Sequence, residues 1–471
     1  MVPVLVLYLV CIGAAALAYL QRWRRFKAMD LPPGSLGLPL LGETLQFIRY
    51  TKSNRPWEFI EQREAKYGKI FKTSLFGSPM VMVSPPQGNK LVFSNHNLLV
   101  ETAWPSPMKT LVGSNAINFM SGEEAKSFRD VLMTFLSAQA VQSQVVPTSN
   151  MIQDHLHKHW KHGETVLAYS LIKQALFSVT CCAFLSVSDE EEQLELLEPL
   201  AKIIKGLISL PLDLPWTNFH HAKKGRVELY KMFDKYIARR RIELENGSSC
   251  QQDLLSLLLS TKLDNGKLMN DDQIKDNILS LLFAGHDTSS SSLAMTLKCL
   301  AQNPACYQEL RREHMDILSA KQPGEELNQN DLRKMKYTWM VIQETLRVMP
   351  TGFGILRKAL KDVEMDGFTI PKGWQLLISG YRSYRKPEFF AEPFKFEPSR
   401  FAEGTGPVPY TYIPFGGGPR ICPGIQLAKM QVMVFLHHLV TRYEWTLVEP
   451  DEPVSYTPVA MPTKGLPIKL K

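Results

Sequence analysis

The chain has 471 residues, of which 45% are hydrophobic and 21% are charged. This composition excludes an intrinsically disordered protein, and the length is sufficient to bury a large core and to enclose a cofactor. The seven cysteines are odd in number and form no C-x-x-C pair. They therefore argue against a disulfide framework or a zinc ribbon and favour a reducing compartment.

The formal net charge of +8 lies partly in short basic runs, among them Arg239-Arg240-Arg241. No aromatic residues are interleaved with these runs, so we expect no nucleic-acid partner. The runs are either solvated helix faces or a docking surface for an acidic protein.

Residues Val2 to Leu20 contain no charged side chain over nineteen positions. As a helix with a rise of about 1.5 Å per residue, this segment measures roughly 28 Å, close to the thickness of the hydrocarbon core of a bilayer. The basic sequence QRWRRFK follows at once, which predicts an N-terminus outside the cytosol and a body inside it. We therefore predict a membrane anchor over residues 1–20. A cleaved signal peptide is the alternative, but it would carry its positive charge before the apolar region.

Residues 21–42 are predicted to be a basic and proline-rich connector, because Leu31–Gly42 contains three prolines and three glycines. Beyond it, apolar and polar residues alternate over Gly68–Pro85 and are interrupted by Gly77-Ser78-Pro79. This pattern predicts a short β-hairpin.

The remainder of the chain is mainly helical in its pattern. A second alternating stretch, around Asp366-Gly367, predicts further strands. Helical spacing of apolar residues is found at about 121–318, including one long helix at 270–304, then at 331–350, and again after Cys422. The pattern predicts one large, mainly α domain with a minor β-sheet over residues 43–471.

Cys422 lies in the segment PFGGGPRICPG, Pro414–Gly424, with four glycines, three prolines and an arginine two positions before the sulfur. A thiol is a strong metal ligand only as the thiolate, which nearby positive charge and backbone N–H groups stabilise. Glycines let N–H groups approach the sulfur, prolines stiffen the loop, and a helix that starts just after it directs its N-terminal dipole at the sulfur. A buried structural cysteine is the alternative, but it needs no such loop.

At these residues the sequence resembles the cytochrome P-450 family of haem-thiolate monooxygenases. The family's signature Phe-x-x-Gly-x-Arg-x-Cys-x-Gly is matched at every fixed position, and the resemblance extends over essentially the whole chain. It implies the cytochrome P-450 fold and haem b as cofactor, with Cys422 as the axial iron ligand. Thiolate ligation favours O–O cleavage. The cofactor-binding residues implied by the signature are Phe415, Gly418, Arg420, Cys422 and Gly424.

The motif AGHDTSS, Ala284–Ser290, lies in the middle of the long predicted helix. Hydroxyl side chains after a glycine can bond to backbone carbonyls and loosen a helix. A polar stripe packed against loops is the alternative. The resemblance implies the family's oxygen-activation motif, with Asp287 and Thr288 as the catalytic residues that deliver protons. His286 fills a variable position of that motif and is assigned no ligand role.

Glu344 and Arg347 are three residues apart on one predicted helix face. A bare i,i+3 pair at a surface contributes little to stability. The resemblance implies instead the family's E-x-x-R element, which an arginine further along the chain completes. Arg400, in the sequence FEPSRF, is that arginine, and all three residues are assigned a structural role around the haem pocket.

Arg357 and Arg129 match the family's positions that contact the haem propionates. A solvated charge at a strand end is the alternative for Arg357. The residue four positions before Arg129 is usually Trp or His in the family, but here it is Ala125. We therefore expect one propionate hydrogen bond to be missing.

The substrate-contacting segments of the family map onto mostly apolar parts of this chain, which favours a hydrophobic ligand. Trp216 stands where related sequences usually have glycine and is expected to reshape the roof of the pocket. The residues assigned to the pocket are Trp104, Leu207, Trp216, Phe283, Ala284, Phe353 and Val459.

Several phrases, such as GPVPYTYIPFGGGPR, resemble the plant branch of the family that oxidises terpenoids and steroids. The resemblance implies a monooxygenase that hydroxylates a plant terpenoid with O2 and electrons from NADPH. A triterpenoid is favoured, and a taxane-type diterpenoid or a steroid is the alternative. A haem-thiolate isomerase or dehydratase, and a non-catalytic haem sensor, are the other classes considered.

The resemblance also implies partners and a location. The expected electron donor is NADPH-cytochrome P-450 reductase, and the other expected partners are membrane lipid and a hydrophobic small-molecule substrate. The expected location is the endoplasmic reticulum membrane, crossed once, with the catalytic domain facing the cytosol.

Overall fold

The protein is mainly α-helical, as the sequence predicts, and its described residues form four small β-sheets where the sequence predicts one minor sheet. The computed structural model describes residues 29–38, 41–207, 209–247, 253–263, 266–456 and 459–471. Its helices in chain order are α1 (Thr44–Lys52), α2 (Pro56–Tyr67), α3 (Gln87–Ser94), α4 (Ser106–Val112), α5 (Gly122–Leu136), α6 (Ala138–Gln142), α7 (Val145–His159), α8 (Ala168–Leu185), α9 (Glu190–Leu207), α10 (Asn218–Glu245), α11 (Leu254–Ser260), α12 (Asp271–Gln302), α13 (Pro304–Ser319), α14 (Gln329–Lys334), α15 (Lys336–Val348), α16 (Tyr381–Tyr384) and α17 (Ile425–Val440). Its strands are β1 (Phe71–Leu75), β2 (Ser78–Met82), β3 (Val100–Thr102), β4 (Thr165–Leu167), β5 (Ile355–Ala359), β6 (Val363–Met365), β7 (Phe368–Ile370), β8 (Gln375–Ile378), β9 (Trp445–Leu447), β10 (Val454–Tyr456), β11 (Ala460–Pro462) and β12 (Pro467–Leu470).

The long helix α12 has 32 residues and organises the helical part of the protein. It begins with a capping box, in which the Asn270 side chain accepts the N–H of Gln273 at 2.9 Å and the Gln273 side chain accepts the N–H of Asn270 at 3.0 Å. It ends at Gln302, just before Pro304. Its side chains are mostly buried against α8, α15 and α17, which confirms the predicted long helix.

Helix α8 is the one helix among the described residues that is long and apolar enough to cross a membrane. Most of its side chains are buried, which identifies it as a core helix. The predicted anchor over residues 1–20 lies outside the described residues, as do residues 21–28 and 39–40 of the predicted connector.

The largest sheet has five strands in the order β1-β2-β8-β5-β3. Strands β1 and β2 form the predicted hairpin, and its turn residues Phe76 and Gly77 have φ angles of 52° and 75°. The hairpin β6–β7 turns at Asp366 and Gly367, with φ angles of 52° and 83°, as the second alternating stretch predicts. Strand β2 pairs in parallel with β8, and the other pairs of this sheet are antiparallel.

The described part of the connector is hydrogen-bonded to β1 of this sheet and to β7 of the β6–β7 hairpin. The backbone N–H of Lys72 donates to the carbonyl oxygen of Pro33 at 2.8 Å, and the Lys72 Nζ donates to the carbonyl oxygen of Pro32 at 2.6 Å. The N–H of Thr369 donates to the carbonyl oxygen of Asp30 at 2.8 Å. The proline pair is therefore held against β1.

The single helix predicted over 331–350 is two helices, α14 and α15, separated at Met335. The ψ angle of Met335 is 57°, outside the helical range. The Glu313 carboxylate explains the restart, because it accepts the N–H groups of Tyr337 and Thr338 at 2.7 and 3.0 Å. An acidic group that caps the first turn of α15 comes from another helix, α13, and leaves no trace in the local sequence pattern.

Three helices, α13, α15 and α17, meet at a buried hydrogen-bond chain that contains two histidines. The Thr338 hydroxyl donates to Glu313 Oε2 at 2.6 Å, so it accepts from His314 Nε2, which lies 2.9 Å away. His314 Nδ1 then accepts from His437 Nδ1 at 3.0 Å. This order requires the His314 imidazole to be neutral and His437 to carry a proton on Nδ1. Burial lowers the pKa of His437 to about 4 and that of His314 well below its usual value.

The adjacent His438 is also buried, and its Nε2 lies 2.8 Å from the Ser149 hydroxyl on α7. Burial, with a further contribution from His437, lowers the pKa of His438 to about 3. A histidine with a lowered folded-state pKa contributes full stability above its unfolded pKa of about 6.5 and loses it as the pH falls below that value.

We expect the free energy of unfolding to fall steeply between pH 6.5 and pH 5, by about 2 kcal/mol for each such buried histidine. The variant His438→Gln keeps a polar side chain and removes one titrating group, so its unfolding free energy changes less with pH, although it starts lower. Urea unfolding followed by circular dichroism at several pH values measures both slopes. His157→Gln, at an exposed position, is the matched control. Equal pH slopes in His438→Gln and the wild type would contradict the assignment.

Candidate active site

The loop that carries Cys422 folds as the glycines and prolines demand. A 3-10 turn at Gly418–Arg420 leads to Cys422, whose N–H donates to the carbonyl oxygen of Phe415 at 2.9 Å. Gly418 has a φ angle of 68°, and a Cβ there would lie 2.2 Å from the carbonyl oxygen of Phe93. Only glycine fits this position. Helix α17 begins at Ile425, directly after the cysteine loop.

The thiol of Cys422 is accessible, yet protein atoms surround it closely enough that burial raises its pKa. Both observations hold together for a sulfur at the wall of an internal cavity. The N–H of Gly424 and the guanidinium of Arg129 act in the opposite direction and lower the pKa of the thiol. The Gly424 N–H and Arg129 therefore favour the thiolate, as the sequence predicts, whereas burial favours the neutral thiol. Coordination to a metal ion deprotonates a thiol outright.

Helix α12 exposes two residues in its otherwise buried middle. Ala284 and Thr288 are accessible, whereas His286, Asp287 and Ser289 are buried. Residues i and i+4 lie on one helix face, so the two accessible residues line internal space. The Thr288 hydroxyl donates to the carbonyl oxygen of Ala284 at 2.7 Å, and the helix is continuous through this point. Helix α12 packs on α17, the helix that directly follows the cysteine loop.

Three arginines gather near the cysteine loop without carboxylate partners. Burial lowers the pKa of all three guanidinium groups. Repulsion from Arg420 contributes to lowering the pKa of Arg357 to about 10, and repulsion from Arg129 lowers the pKa of Arg420 further. Among the described residues, no carboxylate oxygen lies within 4.0 Å of these guanidinium groups. Burial, Arg357 and Arg420 together lower the pKa of His96 to about 4. The cluster is an electropositive site that suits an anion.

Strand pairing and one loop hold Arg420 in this cluster. Its Nε donates to the Thr102 hydroxyl at 3.2 Å, and Thr102 pairs with Arg357 in the β3–β5 register. Its Nη2 donates to the carbonyl oxygens of Ile117 and Met120 at 2.9 and 3.2 Å. The guanidinium is therefore fixed on one side by protein acceptors, and among the described residues no hydrogen bond uses its Nη1.

Haem fits this set of residues. It needs a thiolate or imidazole ligand, internal space on both faces and counter-charges for two propionates. The accessible sulfur of Cys422, the accessible face of α12 and the three arginines supply these in turn. The described residues contain no group of three or more His, Cys, Asp or Glu side chains that would bind a bare metal ion. The donor set is thus that of a single thiolate.

Asp287 does not face the accessible side of α12. Its carboxylate is buried, and Oδ1 lies 2.6 Å from the Nζ of Lys173 on α8, an ion pair whose angles fall outside those of a hydrogen bond. The Lys173 side chain is 30% exposed and connects this pair to solvent. His286 Nδ1 donates to the carbonyl oxygen of Leu282 at 2.8 Å, which leaves Nε2 unprotonated 3.4 Å from Asp287 Oδ1. Burial lowers the pKa of His286.

Glu344 and Arg347 are completely buried in the structure. Arg347 Nε and Nη2 donate to the two carboxylate oxygens of Glu344 at 2.6 and 2.7 Å, and Nη1 donates to the carbonyl oxygens of Tyr384 and Pro393. Arg400 Nε lies 3.5 Å from Glu344 Oε1. The three residues are therefore brought together, and they join α15 to the segment around 384–400.

The residues assigned to the substrate pocket occupy different environments. Leu207 and Val459 are buried, and Phe353 packs on Phe47 with ring centroids 5.0 Å apart. Phe283 is half-buried beside the accessible Ala284. The structure places Trp104 at 40% exposure and Trp216 at 76% exposure, so Trp216 lies at the protein surface.

Three neighbours of the site were not found from the sequence: His96, Thr102 and Lys173. None belongs to a motif, and each reaches the site through strand pairing or helix packing between distant segments. The basic residue Lys173 on an apolar helix was the one available signal.

The chain matches the family model described as Cytochrome P450 over residues 32–470. It is 41% identical to the taxane 13-alpha-hydroxylase of Taxus cuspidata, over 99% of this chain and 97% of that protein. It is 40% identical to the beta-amyrin 28-monooxygenase of Kalopanax septemlobus, over 100% of this chain and 98% of that protein. The solved structure of retinoic acid bound cyanobacterial CYP120A1 superposes with a TM-score of 0.87 at 30% identity, covering 94% of this chain and 99% of that chain.

Burial of the Glu344–Arg347 ion pair predicts that Glu→Gln destabilises the protein far more at position 344 than at an exposed ion pair. Glu344→Gln removes a charge that two buried arginines share, so we expect a loss of about 3–5 kcal/mol in the free energy of unfolding. Glu123→Gln breaks an i,i+3 pair to Lys126 whose side chains are 86% and 70% exposed, and we expect less than about 1 kcal/mol. Urea midpoints of the two purified variants measure the contrast. Similar midpoints would show that the buried pair contributes no more than the surface pair.

Proposed function

The chain belongs to the cytochrome P450 family, so it is a haem-dependent oxidoreductase of the monooxygenase type, and we propose that it hydroxylates a hydrophobic plant terpenoid. The single observation that carries this substrate class is the end-to-end similarity to enzymes named for taxane and beta-amyrin oxidation. A triterpenoid is the favoured scaffold, in keeping with the sequence phrases around the cysteine loop. A taxane-type diterpenoid is the second candidate, because the taxane 13-alpha-hydroxylase is as similar to this chain as the triterpene enzyme.

In this proposal haem b is held by residues that the structure brings together. Cys422 is the iron ligand, Arg129, Arg357 and Arg420 are the counter-charges for the propionates, and Phe415 packs beside the loop. Ala125 is buried in α5 and donates no side-chain hydrogen bond, so the arginines are left to neutralise the propionates. When bound, haem supplies the activation of O2 and the oxidation of a C–H bond.

Asp287 and Thr288 divide the delivery of protons between two faces of α12. Lys173 Nζ exchanges protons with solvent and holds one within 2.6 Å of Asp287 Oδ1, inside the α8–α12 contact. Thr288 Oγ1 faces the accessible side and rotates away from the Ala284 carbonyl to pass a proton on. The ion pair with Lys173 compensates the buried carboxylate and holds it in the α8–α12 contact. Helix α12 separates the proton supply from the substrate and keeps bulk water out of the cavity.

We propose the domain boundaries that the sequence predicts: an anchor at 1–20, a connector at 21–42 and a catalytic domain at 43–471. Membrane contact gains support from the segment between α9 and α10. There Leu210, Leu212, Leu214 and Trp216 are 65%, 52%, 41% and 76% exposed. Adjacent exposed apolar side chains mark a lipid or protein contact. We place the protein in the endoplasmic reticulum membrane, crossed once, with its catalytic domain in the cytosol.

The proposed electron donor is NADPH-cytochrome P450 reductase. The run Arg239–Arg241 is a poor docking surface for it, because Arg240 is buried against Asp253 at 2.5 Å and Arg241 pairs with Asp271. Arg240 is therefore part of the packing of α10, whereas the Arg239 and Arg241 side chains are 49% and 46% exposed.

Expression in yeast with a reductase tests the substrate class. We expect hydroxylated product from a panel of triterpene and diterpene scaffolds, with dependence on NADPH, reductase and O2. Cys422→Ala is the control and is expected to lose both product and the red-shifted Soret band of the reduced carbon monoxide complex, because the thiolate ligand is gone. Product that forms without NADPH would identify an isomerase or dehydratase. Conversion of steroids alone would overturn the terpenoid assignment.

Variants of Thr288 on α12 and of Lys173 on α8 test proton delivery. Thr288→Ala and Lys173→Met are both expected to lower the ratio of product to NADPH consumed by about tenfold and to raise release of hydrogen peroxide, since each interrupts proton supply. Lys235→Met, at an exposed position on α10, is the matched control. Full coupling in Thr288→Ala would remove the hydroxyl from the mechanism. Full coupling in Lys173→Met would confine the proton route to groups on the accessible face.

A further inference from the structure

Helix α12 carries a row of buried polar side chains about two turns before Ala284. Asp276, Asn277 and Ser280 are 1%, 0% and 3% exposed. A charge and an amide are buried at a cost unless their hydrogen bonds are satisfied, so their partners show what the row is for. We call these three residues the α12 polar row.

The α12 polar row binds the backbone of the loop at residues 113–121, which joins α4 to α5. Asp276 Oδ2 accepts both the N–H and the side-chain amide of Asn115 at 2.9 Å. Asn277 Oδ1 accepts the N–H of Ile117 at 2.8 Å, and its Nδ2 donates to the carbonyl oxygen of Asn115 at 2.9 Å. Three backbone groups of the loop are thereby fixed by α12.

Two further contacts make the fit specific. Ser280 donates its hydroxyl proton to the side-chain oxygen of Asn118 at 2.6 Å. Gly113 has a φ angle of 108°, and a Cβ at this position would lie 1.9 Å from Asp276 Oδ1. The loop therefore approaches the helix as closely as only glycine permits.

The same loop holds Arg420 from its other side. The carbonyl oxygens of Ile117 and Met120 accept from Arg420 Nη2. Ile117 is thus bound through its N–H by Asn277 and through its carbonyl oxygen by Arg420. Ile117 therefore links α12 directly to the guanidinium of Arg420 beside the cysteine loop.

The charge of Asp276 is balanced from a third element. Arg226 Nη2, on α10, lies 3.1 Å from Asp276 Oδ1, and the Tyr230 hydroxyl donates to the same oxygen. These two contacts tie the α12 polar row to α10 and add rigidity to it.

We propose that the α12 polar row consists of positioning residues for Arg420: it sets the carbonyl oxygens of loop 113–121 that aim the free edge of the guanidinium at a haem propionate. The inference rests on the proposed haem site and deepens it. Because Thr288 lies on the same rigid helix, the row also fixes the position of Arg420 relative to the Thr288 hydroxyl that delivers protons. No motif of the sequence assigns a role to Asp276, Asn277 or Ser280.

The test measures the rate at which the purified holoprotein releases haem to excess apomyoglobin. Asn277→Ala is expected to release haem about tenfold faster than the wild type, because the loop carbonyls that hold Arg420 lose their anchor. Thr296→Val is the matched control: Thr296 is buried on the same helix, and its hydroxyl donates to the Ser292 carbonyl oxygen at 2.8 Å, away from the loop. We expect Thr296→Val to change the rate of haem release less than about twofold, even when its melting temperature falls as much as that of Asn277→Ala.

A double-mutant cycle with Arg420→Gln separates positioning from general destabilisation. If the row acts through Arg420, Asn277→Ala adds little to the haem release already accelerated by Arg420→Gln. Independent, multiplicative effects would overturn the inference. Should Asn277→Ala fail to fold, Ser280→Ala takes its place, with an expected two- to threefold acceleration that also disappears in the Arg420→Gln background.

The outcomes also separate this inference from the proposed haem site. Faster release in Arg420→Gln with unchanged release in Asn277→Ala would keep the propionate contact and reject the positioning role. Unchanged release in Arg420→Gln would reject the propionate contact of Arg420, and the positioning role with it.

Discussion

The structure depends on one electrostatic constraint, a buried arginine and two half-buried arginines clustered near a single thiol. Burial lowers the pKa of Arg129, Arg357 and Arg420; Arg129 lowers that of Arg420 further, and Arg420 lowers that of Arg357. None of the three has a carboxylate within 4.0 Å among the described residues. Buried positive charges without partners are strongly destabilising in an isolated chain. In the proposed function, a cofactor with two carboxylates would offset that cost, and Cys422 would be its metal ligand. Binding of the cofactor would then stabilise the folded state of this region.

Helix α12 turns this constraint into a working geometry. Its accessible face offers Ala284 and Thr288, its opposite face holds Asp287 against Lys173, and its N-terminal half fixes the loop that holds Arg420. A helix of 32 residues with a satisfied N-cap is stiff enough to keep these three functions in register. The buried Glu344–Arg347 pair on α15, which packs on α12, extends the same rigidity towards the segment around residue 400.

Local rules were enough to predict the elements whose causes are local. The capping box at Asn270, the turn at Asp366-Gly367 and the glycine-rich cysteine loop each carry their own signal in the sequence. The break at Met335 was missed because Glu313, 22 residues earlier, caps α15 from another helix. Lys173 was missed for the same reason, because its ion pair with Asp287 joins α8 to α12 and leaves no periodic pattern in either segment. Trp216 shows the converse, because an aromatic residue in an apolar segment gives no sign of which way it faces.

The α12 polar row illustrates why such distant contacts matter for function more than for stability. Replacing a buried, fully hydrogen-bonded charge by a well-packed apolar side chain is often neutral or stabilising, so stability alone gives no reason for Asp276. Asp276 also demands a glycine at position 113, which is more than 160 residues away and adopts a φ angle that other residues avoid. Apolar packing would hold the loop equally well but would leave its backbone N–H groups free to turn. Directional hydrogen bonds fix which way each carbonyl oxygen points, and the orientation of Arg420 depends on that direction. A protein that must aim a guanidinium at a flat cofactor gains from this arrangement in a way that a merely compact one does not.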